Sequence, residues 1–141
     1  MVLLSESILG TLKNKKITIL GLTFKPETDD VRSSPALDAI EILSEKGAKI
    51  STFDPTIKSK QDLIKLPAGC NICFTIEDAL KDSDIAMVFT KWSEFKLLDS
   101  KFLKQFMNNP IILDGRGFLD KEKFDDGSYF KIGYSENKSK N

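Results

Sequence analysis

Two basic side chains follow apolar runs at places where an alternating chain of strands and helices would bring them together. Lys25 comes directly after KITILGLTF, and Arg116 comes after PIILDG. In parallel α/β sheets, ligands bind beyond the carboxyl ends of the strands, near the point where the strand order reverses. Two cations on that edge suit the binding of an anion, phosphate especially. The sequence therefore predicts an anion site, to which Asp54, Thr90 and Asp114 also lie close.

Neither histidine nor cysteine offers an obvious catalytic group. The chain has no histidine, which removes the commonest general base and metal ligand. Cys70 and Cys73 form a CxxC pair, which could be a redox pair or half of a zinc site. A zinc site needs about four ligands and no second pair is present, and a thioredoxin-type pair would open a helix. The strand-like context GCNICFT favours two packing residues in a reduced, cytoplasmic chain.

Composition indicates one globular domain. The chain has 141 residues, of which 40% are hydrophobic, and its 21 basic side chains balance 21 acidic ones. That balance gives no electrostatic argument for a nucleic-acid partner or an anionic membrane. No apolar run reaches the roughly 18 residues of a spanning helix, and the N-terminal residues make a poor signal peptide. Residues 1–14 are predicted to be the end of a longer helix with an apolar face of Leu4, Ile8 and Leu12, so the chain could be a fragment.

Strands and helices alternate along the rest of the chain. The pattern predicts an α/β fold, a Rossmann-like three-layer sandwich with a mainly parallel five- or six-stranded sheet spanning 15–134. Ser34 and Pro35 are a typical helix start, and Gly47 a typical end. Residues 135–141 form a polar tail. Strands are predicted at 16–24, 48–54, 70–74, 84–90 and 110–114, with YFKIG as an edge strand. Helices are predicted from 34, at 59–66, from Thr75 and at 99–109, the last burying Phe102, Leu103, Phe106 and Met107.

The turn after the first strand, GLTFKPETDD, does not have the composition of a dinucleotide loop. A GxGxxG loop lets backbone amides approach a pyrophosphate, whereas here side chains stand where the second and third glycines belong. The residues alone leave two interpretations open for the charged side chains of this turn. Lys25 is either an anion ligand or a solvated loop lysine, and Arg32 is either a ligand or the partner of Asp29 or Asp30.

The stretch from Gly21 to Pro55 closely resembles the C-terminal, nucleotide-sugar-binding domain of the UDP-glucose/GDP-mannose dehydrogenase family. That family has the pattern Gly-x-x-Phe-Lys-x-x-x-x-Asp-x-Arg-x-Ser-Pro, then a helix, a strand and Tyr/Phe-Asp-Pro. TKWSEF and ILDGRG resemble two later segments of the same domain, and the match runs from about residue 8 to 120, closest to the UDP-glucose 6-dehydrogenase branch. The matching positions are Gly21, Phe24, Lys25, Asp30, Arg32, Ser34, Pro35, Phe53, Asp54 and Pro55.

The resemblance implies an enzyme that uses NAD to oxidise the C6 alcohol of UDP-glucose to a carboxylate in two hydride transfers. Family members have an N-terminal NAD-binding domain and a central helical domain that mediates dimerisation. Their catalytic cysteine lies upstream in a Cys-Phe-Pro-Lys-Asp segment, which neither cysteine of this chain matches. The resemblance therefore implies a chain that is inactive alone, with the missing domains, a nucleotide sugar and a further copy of the full-length enzyme as partners. GDP-mannose and UDP-N-acetylmannosamine stay open as substrates, and so does a stand-alone binding module.

The resemblance also implies roles for single residues. Phe24 and Lys25 match the pair that holds the nucleotide sugar, and Arg116 matches an arginine that contacts an oxygen near the sugar. Arg32 matches an arginine that reaches the pyrophosphate of NAD, and Asp30 is implied to orient it.

The chain departs from the family pattern at two positions, where Ser33 and Lys91 replace a common Glu. Lys91 adds positive charge near the cleft. Trp92 and Phe95 are predicted to pack under the adjoining loop rather than to contact a ligand.

Overall fold

A six-stranded parallel sheet forms the centre of the molecule. The computed structural model describes residues 1–22, 34–58, 66 and 69–132. The strand order is β3-β2-β1-β4-β5-β6, and every neighbouring pair is parallel. The predicted α/β, Rossmann-like fold is therefore confirmed. The strands are β1 (Lys16–Leu20), β2 (Lys49–Phe53), β3 (Cys70–Cys73), β4 (Ile85–Val88), β5 (Ile112–Asp114) and β6 (Tyr129–Lys131).

Helices cover both faces of the sheet, which makes three layers. Ile17 and Ile19 of β1 pack into one apolar cluster with α2, and α1 covers the same cluster. Leu20 points to the opposite face and packs with α3 and α4. Because successive side chains of a strand point to opposite faces, a strand that is buried on both sides is apolar throughout. The helices are α1 (Val2–Leu9), α2 (Pro35–Glu45), α3 (Ile76–Leu80) and α4 (Ser100–Phe106), with 3₁₀ turns at Ser93–Leu97 and Lys121–Lys123.

Local signals set both ends of α2, as the sequence predicts. The Ser34 hydroxyl accepts a hydrogen bond from the backbone N–H of Ala36, and Pro35 occupies the first helical position. At the other end, Gly47 has a φ of 87°, and the N–H of Ala48 donates to the carbonyl of Leu43. This is a Schellman ending, which favours glycine because it requires a left-handed backbone.

The N-terminal helix is shorter than predicted. Helix α1 ends at Leu9, and the chain turns at Gly10, whose φ is 83°. Leu12 is buried in the core as expected, but it lies beyond the helix and not on its face. Glycine is a poor helix former, so the chain leaves the helix there and reaches β1 sooner.

The other predicted elements keep their order with shorter bounds. Helix α4 buries Leu103, whereas Phe102 and Phe106 are only half-buried. The predicted edge strand is present as β6, and Thr75 caps α3 through its hydroxyl, which accepts from the N–H of Asp78. The predicted helix at 59–66, apart from Leu66, and the tail at 135–141 lie outside the described residues. Within the part of the chain that is described, no helix is both long and apolar enough to cross a membrane.

The two cysteines lie on opposite faces of the edge strand β3. Both are free and half-buried, and Cys70 packs against the cluster that contains β1 and α2. Three residues of strand span about 10 Å, which exceeds the roughly 7 Å limit between the Cα atoms of a disulfide. Burial, followed by the charge of Cys73, raises the pKa of the Cys70 thiol to about 11. The described residues contain no group of three or more metal-ligating side chains that could hold an ion.

The packing interpretation predicts a mild effect of replacing both cysteines. The double variant Cys70→Ala/Cys73→Ala should lose about 1–3 kcal/mol of unfolding free energy at most, because each side chain is only half-buried. Urea unfolding of the variant and the wild type measures this loss. Nucleotide-sugar binding should be unchanged, and stoichiometric zinc in the purified wild-type chain would contradict the interpretation.

Candidate functional site

The strand order reverses between β1 and β4, at the middle of the sheet. From β1 the chain proceeds outward through β2 to β3, then returns to place β4 on the other side of β1 and continues to β5 and β6. Ligands of open α/β sheets bind at the carboxyl side of such a reversal. The turns that follow β1, β4 and β5 therefore border the candidate site.

The first turn passes very close to the end of β4. Gly21 has a φ of 94°, and a Cβ atom built on it would lie 2.6 Å from Oγ1 and 3.0 Å from the backbone nitrogen of Thr90. Its own N–H donates to the carbonyl of Phe53 on β2 at 2.8 Å. Glycine is required here because both the left-handed backbone and the close approach exclude a side chain.

Asp54 anchors the first turn from the end of β2. The residue is 1% exposed, and its Oδ2 accepts a 2.7 Å hydrogen bond from the N–H of Leu22. Its Oδ1 accepts from the N–H and the hydroxyl of Thr56 at 2.9 and 2.6 Å. In a dinucleotide-binding fold, an acid after the second strand binds the ribose. Here that carboxylate is buried and binds the backbone that leads toward Phe24 and Lys25.

Asp114 shapes the turn after β5 in a similar way. It is fully buried, and its Oδ1 accepts from the N–H of Arg116 at 3.1 Å. Its Oδ2 accepts from the N–H groups of Phe118 and Leu119, both at 2.8 Å. Gly117, with a φ of 60°, allows the backbone to curl around the carboxylate. Asp114 thus lies at the carboxyl edge of the sheet, as predicted, but its carboxylate binds the backbone of the protein itself.

Arg116 projects from this turn, and none of the described residues binds its guanidinium. It is exposed, and its guanidinium has no hydrogen bond or ion pair within that part of the chain. A guanidinium that is fixed at its backbone and free at its tip can form a two-pronged contact with phosphate or hydroxyl oxygens. The structure therefore places Arg116 at the predicted edge in a form that can bind a ligand.

The start of α1 borders the same edge. A Cβ atom on Gly115 would lie 2.6 Å from Cε of Met1 and 3.0 Å from the carbonyl oxygen of Val88. Gly115 also donates its N–H to that carbonyl at 3.0 Å. The backbone before Arg116 is thus held between β4 and Met1, the residue that precedes α1.

The other predicted ligands lie outside the described residues. Phe24, Lys25 and Arg32 fall in the undescribed stretch 23–33, as does Asp30. Leu22 precedes this stretch at the end of β1, and Arg116 follows β5, two strands away. Two interstrand spacings amount to about 10 Å. The roles of Phe24, Lys25 and Arg32 stay predictions.

The start of α2 does not form a dinucleotide cradle. A pyrophosphate normally sits on free N–H groups at the N-terminus of the helix that follows the first strand. Here Pro35 has no N–H, and the N–H of Ala36 already donates to the Ser34 hydroxyl at 3.1 Å. Leu37 donates to the Ser34 carbonyl at 3.1 Å. The described residues therefore do not fit an NAD pyrophosphate at this position.

Trp92 and Phe95 are core residues. Both are buried in the apolar cluster on the α3 and α4 face, with exposed fractions of 7% and 0%. The indole N–H of Trp92 has no hydrogen-bond partner within the described structure. Packing, as predicted, is therefore what these side chains supply.

Sequence analysis missed one residue of this region, Tyr129 on β6. Its hydroxyl donates to Oδ2 of Asp114 at 2.7 Å. Burial, reinforced by the hydrogen bond to Asp114 and by the charges of Asp114 and Asp120, raises the pKa of Tyr129 far above its ordinary value. No motif marks this tyrosine, because the contact depends on the pairing of β6 with β5.

The sequence and the fold of this chain are both similar to those of known proteins. Residues 18–121 match the family model described as UDP-glucose/GDP-mannose dehydrogenase family, UDP binding domain. The chain belongs to the UDP-glucose/GDP-mannose dehydrogenase family. The region of the family that it matches is the UDP-binding domain, as the sequence resemblance implied.

The chain is similar to proteins that are much longer. It is 41% identical over 115 residues to the UDP-glucose 6-dehydrogenase of Rickettsia conorii, covering 80% of this chain and 26% of that protein. The UDP-glucose dehydrogenase structure from Pyrobaculum islandicum has a TM-score of 0.75 and 26% identity over 92% of this chain and 28% of the other. The UDP-N-acetyl-mannosamine dehydrogenase Cap5O from S. aureus has a TM-score of 0.73 and 27% identity over the same shares, 92% and 28%. The chain thus spans about a quarter of the length of the curated relatives it matches.

The close contact at Gly21 predicts a local cost that another left-handed glycine does not share. Gly127 has a φ of 79°, but a Cβ atom there would meet nothing within 4 Å. Alanine should cost about 1–2 kcal/mol at either site for the left-handed backbone. Gly21→Ala should cost about 1–3 kcal/mol more, from overlap with Thr90. Urea unfolding compares the two variants, and equal losses would show that the contact with Thr90 is not tight.

Proposed function

We propose that this chain is the nucleotide-sugar-binding domain of an NAD-dependent UDP-glucose 6-dehydrogenase. In that enzyme the C6 alcohol of UDP-glucose is oxidised to a carboxylate in two hydride transfers, giving UDP-glucuronate. The observation that carries the proposal is Arg116, exposed on a turn that the buried carboxylate of Asp114 holds at the carboxyl edge of the sheet. Membership of the family, through its UDP-binding domain, supports the same edge as the nucleotide site.

The proposed ligands divide the substrate between two strand ends. Arg116, after β5, donates to a hydroxyl or phosphate oxygen near the sugar. Lys25 and Phe24, after β1, hold the nucleotide sugar from the other side of β4. Charged donors suit this task because hydrogen bonds to charged groups are about twice as strong as neutral ones. The spacing of about two strands suits an extended ligand that lies across the edge.

Chemistry and cofactor belong, in this proposal, to the rest of the enzyme. Cys70 and Cys73 lie on β3 at the far side of the sheet, and burial raises the pKa of both thiols, so neither suits a nucleophile. NAD is held mostly by an N-terminal domain, with Arg32 of this chain reaching its pyrophosphate. The full-length enzyme is proposed to be a homodimer or a larger assembly. It is also proposed to be cytoplasmic, because free half-buried cysteines suit a reducing compartment.

Two other substrates and one other class of function compete with this proposal. The similarity to a UDP-N-acetyl-mannosamine dehydrogenase is nearly as good as that to a UDP-glucose dehydrogenase, which keeps the sugar open. GDP-mannose is the third candidate, and the UDP-binding description of the matched family region favours a UDP-sugar over it. A stand-alone binding module would use the same edge, and a gene that also encodes a GxGxxG domain upstream would exclude it.

The proposed site predicts which ligand perturbs which residues. UDP-glucose should bind the 141-residue chain weakly and shift the amide NMR signals of residues 22–25 and 114–117, while NAD alone should leave them nearly unchanged. Lys25→Ala and Arg116→Ala should each weaken binding about tenfold or more, since a charge-assisted contact contributes roughly 1.5–3 kcal/mol. Lys49→Ala is the control, because Lys49 is exposed at the opposite end of β2.

Three outcomes would contradict parts of this assignment. Shifts of the amide signals of residues 22–25 with NAD and not with UDP-glucose would make the first turn a dinucleotide loop. Equal effects of Lys49→Ala and Arg116→Ala would reduce the site to general surface charge. Arg32→Ala should spare UDP-sugar binding and raise the NAD requirement of the full-length enzyme, so a loss of UDP-sugar binding would move Arg32 to the substrate site.

Because chemistry and cofactor are assigned to other domains, the proposal also predicts that the 141-residue chain is inactive alone. The purified 141-residue chain should not reduce NAD in the presence of UDP-glucose, because it offers neither the catalytic cysteine segment nor a dinucleotide loop. Absorbance at the wavelength of NADH follows the reaction, with a full-length family member as the positive control. Sustained NADH formation by the chain alone would overturn the proposed roles.

A further inference from the structure

Strand β6 and the residue that follows it contact the turn that carries Arg116 at three points. The hydroxyl of Tyr129 donates to Oδ2 of Asp114 at 2.7 Å, and the N–H of Ile132 donates to the Asp114 carbonyl at 2.9 Å. The stem of Lys131 lies against Gly117, where a Cβ atom would be 2.7 Å from Cε of Lys131. Of these contacts, only the one from Tyr129 reaches the carboxylate that holds the turn.

The Asp114 carboxylate links Tyr129 to the backbone of Arg116. Its Oδ2 accepts from Tyr129 and from the N–H groups of Phe118 and Leu119, while its Oδ1 accepts from the N–H of Arg116. A carboxylate is a rigid plane, so the donors on one oxygen set the direction of the other. Loss of the Tyr129 hydroxyl would leave Oδ2 with only the two backbone donors, so the plane of the carboxylate would tilt toward Phe118 and Leu119 and change the position of the acceptor that Oδ1 offers to the N–H of Arg116.

The aromatic ring of Tyr129 has a separate structural partner. It stacks on Phe124 with ring centroids 5.1 Å apart and an interplanar angle of 16°. Phe124 is buried in the cluster on the α3 and α4 face. The ring thus serves packing and the hydroxyl serves Asp114, so the two contributions can be separated by substitution.

The hydroxyl remains a donor at any ordinary pH. Burial, with the hydrogen bond to Asp114, raises the pKa of Tyr129 well above its usual value of 10.0, so the neutral phenol is the form that the fold favours. Lys121 and Lys131 line one groove beside Tyr129, and Glu122, Asp125 and Asp126 line another. The charges of Asp114 and Asp120 are those that raise its pKa. A protonated phenol and an ionised carboxylate form a charge-assisted hydrogen bond, which is short and directional.

We propose that Tyr129 is a positioning residue for nucleotide-sugar binding, acting through Asp114 to fix the turn that carries Arg116. The inference rests on the proposed function in one respect, namely that Arg116 contacts the nucleotide sugar. Tyr129 itself touches no ligand in this account. It determines the direction from which the guanidinium approaches.

The test is a double-mutant cycle on UDP-glucose binding to the 141-residue chain. Tyr129→Phe keeps the ring and removes the hydroxyl, and it should weaken binding roughly three- to tenfold, as the loss of one hydrogen bond predicts. Arg116→Ala should weaken binding about tenfold or more. In the double variant, Tyr129→Phe should add less than about twofold to the effect of Arg116→Ala, because the hydroxyl acts only through that arginine. Calorimetric titration measures all four dissociation constants.

A matched variant separates positioning from general stability. Phe124→Leu removes the stacking partner and leaves the hydroxyl in place, so it should lower the melting temperature without changing the affinity for UDP-glucose. Tyr129→Phe should shift the amide NMR signals of Arg116, Phe118 and Leu119 even without ligand, whereas Phe124→Leu should leave the Arg116 signal in place.

The possible outcomes distinguish the inference from the function on which it rests. If Arg116→Ala leaves the affinity unchanged, the proposed role of Arg116 fails. If Arg116→Ala weakens binding but Tyr129→Phe does not, or if the two effects multiply in the double variant, the role of Tyr129 fails and that of Arg116 stands. A loss of affinity in Phe124→Leu equal to that in Tyr129→Phe would also overturn the inference, because stability alone would then explain both.

Discussion

Two buried carboxylates hold the carboxyl edge of the sheet in one shape. An ionised carboxylate without hydrogen-bond donors is very costly to bury, so each must collect them from its surroundings. Asp54 accepts a hydrogen bond from the N–H of Leu22, and Asp114 accepts hydrogen bonds from three N–H groups of the turn after β5. The need to satisfy these charges fixes the backbone at Leu22 and in the turn after β5, because a buried oxygen without a donor is costly. In the described part of the edge, the protein itself therefore holds the backbone in place.

This arrangement explains how a fold typical of dinucleotide-binding domains can serve another ligand. The acid at the end of β2 is turned inward, the first turn is packed against Thr90, and the first N–H groups of α2 are already satisfied. In the described residues, these features, which bind the ribose and the pyrophosphate of a dinucleotide in such folds, are therefore engaged by the protein itself. The guanidinium of Arg116 is exposed on the described edge, and a guanidinium binds anions through the side chain and not through backbone amides.

The sequence predicted elements whose signals are local and missed those that depend on contacts between distant residues. Helix α2 is correct at both ends because Ser34, Pro35 and Gly47 act on their immediate neighbours. Arg116 was placed at the right edge because a parallel sheet brings all strand ends to one side. Asp54 and Asp114 were placed there too, but nothing local shows whether a carboxylate faces solvent or backbone. Tyr129 was missed for the same reason, since its partner is known only once β6 pairs with β5. Phe24, Lys25 and Arg32 stay predictions, since they lie outside the described residues.

Binding through the side chain of Arg116, and not through backbone amides, affects how the domain would select its substrate. Backbone amides at a helix N-terminus lie at fixed positions and bind phosphate closely, whereas a guanidinium at the end of a flexible stem reaches several ångströms from its turn. Its contribution then depends on how firmly its backbone is held, because a mobile turn would lose conformational entropy on binding in addition to the loss from the side chain. Fixing the Arg116 turn through Asp114 lowers that loss without adding any contact to the ligand. Under the proposed function, selectivity between UDP-sugars would then come from the geometry of the turn more than from the charge of the arginine, which attracts any phosphate alike.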